Sequence, residues 1–186
     1  MCPQYQGDIK MPRLKNIDPE TDTGAGADLL NGPLKAKQIN IYKGLAAHPT
    51  LFEAFMAWGR DSKGGGLTPQ EGEVVQLLAA EKMHCEYCTA AHTKVSSGLG
   101  LSEEDCLNIR KRQSDDPKTQ ALINFTAETL DTHGNVSDET LAYFMDAGFS
   151  TESAIEVVAG ISIMTFTSLY NHVNDTVVDF PQVTAV

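Results

Sequence analysis

Basic residues and cysteines are scarce in this sequence of 186 residues. Lys and Arg number 14 against 25 Asp and Glu, so the formal net charge of -11 opposes binding to the phosphates of nucleic acids. No apolar run approaches the length of a membrane span, and residues 1–22 lack the apolar centre of a secretory signal. We therefore expect a cytoplasmic protein that binds neither nucleic acid nor a membrane.

Four cysteines are present, and a disulfide framework is not expected, because the chain is long and lacks an export signal. Because 41% of the residues are hydrophobic, the chain can bury a core without such cross-links. Cys106 lies in a polar segment and is expected to be structural. Cys85 and Cys88, in contrast, are separated by only two residues, so this pair calls for a chemical explanation.

Prolines and glycines divide the chain into an irregular N-terminal arm, residues 1–34, and a helical domain, residues 35–186. Apolar residues recur at helical spacing after the arm, where the first predicted helix spans residues 35–47, and no alternating strand pattern of useful length occurs. Further helix starts are marked by proline or by capping residues at Pro49, Thr68, Ser102, Asp116, Ser137 and Ser150. We therefore predict an all-α fold with short connections.

The last predicted helix, residues 150–174, is apolar around its whole circumference. A helix of this kind is buried in a core or in an oligomer interface. It carries His172, which we expect to be a core histidine with a satisfied hydrogen bond. Phe52, Phe55 and Trp58 are likewise expected to lie in the core or in an interface rather than in a substrate pocket.

The segment Cys85–His92 carries the strongest chemical signal. At about 100° per residue, Cys85, Cys88 and His92 fall within roughly 60° of one another on one face of a helix. Residues three apart on a helix have Cα atoms about 5 Å apart, within the range of a disulfide. The two cysteines can therefore close and open a bond with little movement of the backbone.

Both sulfurs have a reason to react. His92 lies four residues after Cys88 and can take its proton, which matters because only about a tenth of an ordinary thiol is ionised slightly above neutral pH. Cys85 stands at the start of the helix, where unpaired amides and the helix dipole favour a thiolate. Local geometry thus assigns the nearby base to Cys88 and leaves the order in which the sulfurs react open.

Three other interpretations compete with catalytic thiol chemistry. A zinc ion could be held by the two cysteines, His92 and a fourth ligand such as His84 or Glu73, although no second pair of ligands follows at the usual spacing. The cysteines could also be ordinary core residues. Finally, the pair could be a redox sensor without a catalytic role.

The wider pattern resembles a known family. Glu73, eleven further residues, the Cys85-x-x-Cys88 pair, three further residues and His92 are similar to the signature of the alkylhydroperoxidase D-like branch of the carboxymuconolactone decarboxylase superfamily. The late segment Tyr170–His172 also resembles that family. The lactone decarboxylases of the superfamily generally lack the cysteine pair, so this motif is typical of the redox-active members.

The resemblance covers about residues 35–180 and implies an all-helical fold, assembly into trimers or hexamers, and reduction of hydroperoxides. Cys88 would be the thiol that attacks the peroxide, Cys85 its resolving partner, His92 the base, and Glu73 the residue that relays protons to it. A lipoyl-bearing protein or another external dithiol would then reduce the disulfide by attack on the more exposed Cys85 sulfur. Neither a cofactor nor a metal ion takes part in this implied reaction.

One departure from the family pattern lies between the cysteines. Well-studied members have a histidine there, where this chain has Glu86–Tyr87. His84, just outside the pair, is the residue that could take its place.

Three alternative functions follow from the same residues. The chain could be a thiol–disulfide oxidoreductase that uses no peroxide, or a zinc-stabilised binding module. It could also be a decarboxylase or isomerase of the superfamily whose cysteines are incidental.

Overall fold

The structure, a computed structural model, describes residues 11–186. Within this range all regular secondary structure is helical, which confirms the predicted all-α class. The helices in chain order are α1 (Ala25–Asn31), α2 (Asn40–Leu45), α3 (Pro49–Asp61), α4 (Pro69–Lys82), α5 (Glu86–Gly98), α6 (Glu103–Arg110), α7 (Pro117–Thr132), α8 (Asp138–Asp146) and α9 (Thr151–Asn174). The part of the predicted arm that covers residues 1–10 lies outside the described residues.

Local capping chemistry explains where the predicted helices begin. Thr68 accepts a hydrogen bond from the backbone N–H of Glu71, and the Glu71 carboxylate accepts one from the backbone N–H of Thr68, which completes a capping box before α4. Ser102 and Asp105 form the same arrangement before α6. These bonds satisfy amides that the first turn of a helix leaves unpaired. The predicted starts of α3, α4, α6, α7, α8 and α9 are all confirmed.

The predicted irregular arm contains a helix, so the expectation of irregular structure is wrong for residues 25–31. Leu30 and Ala27 of α1 are 0% and 3% exposed, and their burial stabilises a helix that is too short to be stable by itself. Gly26 permits this packing, because a Cβ atom at that position would overlap the carbonyl oxygen of Ala46.

The next helix is shorter than the predicted residues 35–47. α2 begins after Ile39, where the backbone N–H of Asn40 donates to the carboxylate of Asp179 at 2.8 Å. The side-chain amide of Asn40 also donates to the carbonyl of Val177 at 3.0 Å. Bonds to the non-helical C-terminal segment therefore take the place of a preceding helical turn. The predicted division of the chain at residue 35 stays a prediction.

α4 forms the centre of the fold, with α5, α6, α7 and α9 packed against it. One core cluster joins α4 to α6–α9 and contains a stack of three rings, in which Phe144 lies between Phe125 and Phe149 at centroid distances of 4.2 and 4.4 Å. A second cluster joins α1–α3 to the α4–α5 region and contains Cys85 and Cys88. The cysteine pair therefore lies within hydrophobic packing.

α9 was expected to be apolar on all sides, and the fold divides it into two faces. Val157 and Met164 are buried in the core, whereas Ile155, Leu169 and Val173 are more than half exposed. By length and composition alone α9 could cross a membrane, contrary to the expectation that no such segment exists. Core helices of globular proteins pass the same test, and α9 packs against α4 and α5. The absence of membrane binding stays a prediction.

Candidate active site

The turn between α4 and α5 positions the cysteine pair. His84 adopts the left-handed conformation, with φ of 51°, and turns the chain so that α5 packs against α4. Cys85 follows as the N-cap of α5, and its Sγ accepts a hydrogen bond of 3.2 Å from the backbone N–H of Cys88. The expected helix start at Cys85 is confirmed, with the sulfur atom itself as the cap.

Cys85 and Cys88 form a disulfide, with Cα atoms 5.2 Å apart. The two residues are 1% and 3% exposed. Cys88 lines a cavity of about 800 Å³, whereas Cys85 is not part of that wall. The expectation that Cys85 carries the more exposed sulfur is therefore wrong. Its role as a cap directs the Cys85 side chain toward the first turn of α5 rather than toward the cavity.

Glu73 and His92 form a close pair in the wall of the same cavity. Oε2 of Glu73 lies 2.7 Å from Nδ1 of His92, across the contact between α4 and α5. Glu73 is 4% exposed, and the side chain of His92 is 27% exposed. A carboxylate at Nδ1 favours the tautomer that carries its proton on that nitrogen, which leaves Nε2 as the basic nitrogen.

The polar side chains that contact the sulfurs come from α9 rather than from His92. Among residues 11–186, the side chains that hydrogen-bond Cys88 Sγ are Ser168, with Oγ at 3.4 Å, and Asn171, with Nδ2 at 3.3 Å. Nδ2 of Asn171 also lies 3.9 Å from Cys85 Sγ. His92 shares the cavity wall with Cys88, so the four predicted residues meet in one region without a direct bond between imidazole and sulfur.

Sequence reasoning missed Ser168 and Asn171 as site residues. A signal was present, because Ser168, Asn171 and Asn174 recur at intervals of three in a helix that has apolar residues around its circumference. All three are buried, at 4% exposure or less. Polar residues that repeat on one side of an apolar helix indicate a buried polar contact. The pattern does not indicate that the contact is with sulfur.

Two other histidines lie outside the cavity wall. His172 is exposed, contrary to the expectation of a core histidine, because it faces outward from the last turn of α9. Its Nε2 lies 3.3 Å from the backbone carbonyl of His84, whose own side chain is exposed. In the part of the chain that the structure describes, no group of three or more His, Cys, Asp or Glu side chains is arranged to hold a metal ion. The zinc alternative therefore has no ligand set there.

Tyr87 lies between the cysteines, where the family that the motif resembles was expected to have a histidine. It is 4% exposed, its ring packs edge-on against Phe180 at 5.5 Å, and its hydroxyl accepts a bond of 3.2 Å from the backbone N–H of Ile41. Burial raises the pKa of Tyr87 far above the ordinary value. Because the phenol stays protonated at neutral pH, Tyr87 cannot replace a histidine as a base.

The cavity beside Cys88 has a volume of about 800 Å³ and a largely apolar wall. Its apolar lining includes Ile39, Tyr42, Phe55, Met56, Ile163 and Phe180. The expectation for Phe55 is therefore corrected, since α3 directs Phe52 into the core and Phe55 into the cavity wall. Trp58, on the same helix, is 42% exposed. A cavity of this size and lining can enclose an apolar small molecule.

Comparison with known proteins agrees with this fold and motif. Residues 49–111 match the model of the carboxymuconolactone decarboxylase family, a segment that runs from α3 to α6 and includes Glu73, the cysteine pair and His92. This match confirms the resemblance predicted from the motif. Among curated protein sequences, none matches the chain significantly.

Solved structures with the same fold include proteins of different described activities. A peroxidase-related protein with an alkylhydroperoxidase D core from Ralstonia eutropha JMP134 is 18% identical, with a TM-score of 0.80 over 91% of this chain and 93% of that one. A protein of unknown function from Agrobacterium tumefaciens is 20% identical, with a TM-score of 0.66 over 74% and 96%. The debrominase Bmp8, bound to 2,3,4-tribromopyrrole, is 16% identical, with a TM-score of 0.65 over 75% and 76%. At these identities the likeness establishes the fold alone.

Proposed function

We propose that this protein is a thiol-dependent peroxidase of the alkyl hydroperoxide reductase type. The chain carries the carboxymuconolactone decarboxylase family region in an alkylhydroperoxidase D-like fold. The reaction reduces an organic hydroperoxide to an alcohol and water. An external dithiol supplies the electrons.

One observation carries this proposal: the Cys85–Cys88 disulfide lies beside an apolar cavity whose wall also holds the Glu73–His92 pair. A disulfide between neighbouring cysteines is the oxidised form of a two-thiol peroxidase cycle. A carboxylate–imidazole pair supplies the proton transfer that a thiol nucleophile and an alkoxide leaving group require.

The proposed cycle begins with the reduced pair. Glu73 orients His92, which accepts the proton of Cys88 across the shared cavity. The Cys88 thiolate attacks one oxygen of the O–O bond, that bond breaks, Cys88 becomes a sulfenic acid, and the alkoxide takes the proton from His92 and leaves as an alcohol. The Cys85 thiol then attacks the Cys88 sulfur, water leaves, and the disulfide forms. Two thiols have passed two electrons to the hydroperoxide.

The cavity favours a bulky substrate. Its volume of about 800 Å³ is typical of pockets that enclose drug-sized ligands, and Ile163, Phe55 and Phe180 offer it apolar surface. Hydrogen peroxide would leave most of this surface against water, whereas an aryl or alkyl hydroperoxide would cover it. The preferred substrates are therefore organic hydroperoxides.

Burial of the sulfurs distinguishes this function from general thiol–disulfide exchange. Cys85 and Cys88 are at most 3% exposed, so the disulfide of a folded protein has no path to either sulfur without rearrangement. A slender dithiol, either a small molecule or a lipoyl arm on a partner protein, can enter through the cavity on the Cys88 side. Attack on Cys85 requires the turn at His84 to move.

Reductive dehalogenation is a second candidate, favoured by the apolar cavity and by the likeness in fold to a debrominase. In that reaction a carbon–hydrogen bond replaces a carbon–bromine bond, bromide leaves with a proton, and the two thiols become the disulfide. The same cysteine pair would serve both reactions. A competition assay that offers an organic hydroperoxide and a bromopyrrole together, and measures which of the two is consumed, separates the two candidate reactions.

We further propose that the chain forms a homo-oligomer, a trimer or hexamer as the family resemblance implies. Ile155, Val158, Leu169 and Val173 fall within about 60° on the outer face of α9 and are each more than half exposed. A stripe of this kind is typical of a protein interface. Mass measurement in solution tests this, and Leu169→Glu should dissociate the assembly.

The decisive experiment measures consumption of cumene hydroperoxide with dihydrolipoamide as reductant. Cys85→Ser and Cys88→Ser should both lose turnover, whereas Cys106→Ser, which removes a buried free cysteine outside the pair, should retain it. Cys85→Ser should also leave a sulfenic acid on Cys88 that dimedone traps. Turnover without the pair would refute the proposal, and peroxide-dependent labelling of Cys85 in Cys88→Ser would reverse the roles of the two sulfurs.

A further inference from the structure

Two polar side chains on α9 contact the sulfur pair and have no part in the cycle described above. Asn171 is 4% exposed and places Nδ2 at 3.3 Å from Cys88 Sγ and 3.9 Å from Cys85 Sγ. Ser168 is fully buried and places Oγ at 3.4 Å from Cys88 Sγ. A disulfide sulfur carries no hydrogen, so both side chains act as donors to it.

In the oxidised protein these contacts do little to offset the cost of burying the Asn171 amide. Sulfur in a disulfide is a weak hydrogen-bond acceptor, and Oδ1 of Asn171 is buried without a donor among the described residues. A side chain buried with half of its hydrogen-bonding capacity unused is uncommon and calls for an explanation. The explanation here lies in the reduced state, in which Cys88 is a thiolate and accepts the same two bonds as an anion.

We propose that Asn171, assisted by Ser168, is a catalytic residue that stabilises the Cys88 thiolate. Both donors are held by the rigid helix α9 before the charge forms, so no reorganisation is needed when Cys88 loses its proton. The inference rests on the proposed function only in taking Cys88 as the nucleophile. In this arrangement His92 receives the proton of Cys88, and the two donors on α9 stabilise the thiolate that remains.

Other charged and titratable groups face the same space and must be kept constant in a test. Glu73 and His92 share the cavity wall with Cys88, as do the phenols Tyr42 and Tyr87. Arg60, Lys63 and Glu156 also line it. None of these seven residues is altered by substitution of Asn171 or Ser168, so a change in the ionisation of Cys88 reports on the two donors.

The test measures how fast iodoacetamide alkylates Cys88 as a function of pH, with the labelled site read by mass spectrometry. All proteins carry Cys85→Ser, which prevents the disulfide and keeps an oxygen at the cap position. Asn171→Leu removes the donor at similar volume and should raise the midpoint of the profile by about one pH unit, a roughly tenfold smaller thiolate fraction. Asn171→Asp should raise it at least as far, because a carboxylate offers no N–H and repels the anion.

Asn174→Leu is the matched control, because Asn174 is also fully buried on α9 and bonds to Asn16 and Thr176 instead of sulfur. It should lower thermal stability without moving the midpoint. Unmoved midpoints in folded Asn171→Leu and Asn171→Asp would overturn the inference.

If Asn171→Leu does not fold, Asn171→Asp and Ser168→Ala test the inference in its place. Ser168→Ala should shift the midpoint in the same direction by a smaller amount. No shift in these two would overturn the inference equally. No hydroperoxide enters this assay. A shifted midpoint in a protein that consumes no hydroperoxide would refute the proposed function and leave the thiolate role standing.

Discussion

Replacing Glu73 with glutamine removes the charge of the carboxylate and keeps its shape. In the structure Oε2 of Glu73 lies 2.7 Å from Nδ1 of His92, and Glu73 is 4% exposed. The amide oxygen of glutamine can still accept a hydrogen bond from the imidazole, so the ring should keep its orientation. What glutamine cannot do is stabilise the imidazolium that forms when His92 takes the proton of Cys88.

The cost can be bounded from the geometry. A hydrogen bond that involves a charged group contributes about 1.5–3 kcal/mol. The side chain of His92 is 27% exposed, so solvent screening places the loss near the lower end, at about 1.5 kcal/mol. Because about 1.4 kcal/mol corresponds to a factor of ten, oxidation of Cys88 should slow roughly tenfold at neutral pH.

The assay mixes reduced protein with cumene hydroperoxide, quenches the reaction with an alkylating reagent and measures the disulfide by mass spectrometry. Glu71→Gln is the control, because Glu71 lies on the same helix, outside the cavity wall, and forms an ion pair with Lys118 at 2.7 Å. Glutamine also suits its place in the capping box, so this variant should react within about twofold of wild type. A wild-type rate for Glu73→Gln would refute the reasoning, as would equal slowing of both variants.

Three further outcomes are expected. Ile163→Phe narrows the cavity and should lower the rate with cumene hydroperoxide about tenfold or more while changing that with hydrogen peroxide little, as steady-state kinetics will show. Phe144→Ala removes the fully buried central ring of its stack and should cost about 3–5 kcal/mol in urea unfolding. Arg112 and then Lys82 lower the pKa of Asp131, so its contribution to stability is present above the unfolded pKa of about 3.9 and is lost as pH falls through the folded value. Because the Asp131 side chain is 37% exposed, Asp131→Asn should lower the free energy of unfolding by at most about 1 kcal/mol at pH 7. In thermal unfolding, the difference in stability between this variant and wild type should shrink below about pH 4 and vanish in stronger acid.

Helix starts were predictable because their causes are local. Thr68 and Ser102 cap their helices with bonds that close within three residues, so neighbours in the chain suffice to identify them. The α1 helix was missed for the opposite reason. Its seven residues lack a side-chain cap, and the burial of Leu30 in a core formed by later helices holds it in place.

Exposure was harder to predict than secondary structure. Phe52 and Phe55 lie three residues apart on α3, but one enters the core and the other the cavity wall. Cys85 was expected to carry the more exposed sulfur, which the external dithiol would attack, yet Cys85 caps α5 with that sulfur and is 1% exposed. In both cases the pattern places the residue on an element correctly and leaves open what covers it.

The parts of the site differ in how far apart they lie along the chain, and this has a consequence for reactivity. Cys85, Cys88 and His92 fall within one helical segment, so helix geometry alone brings them together. Asn171 meets Cys88 from 83 residues away, through the packing of α9 against α5. If α9 sets how readily Cys88 ionises, the C-x-x-C-x-x-x-H motif fixes the kind of chemistry and not its rate. Two chains with the same motif would then differ in thiol reactivity according to the residues that their last helix presents to the sulfurs, and exchanging Ser168 and Asn171 between such chains should exchange the pH profiles of alkylation as well.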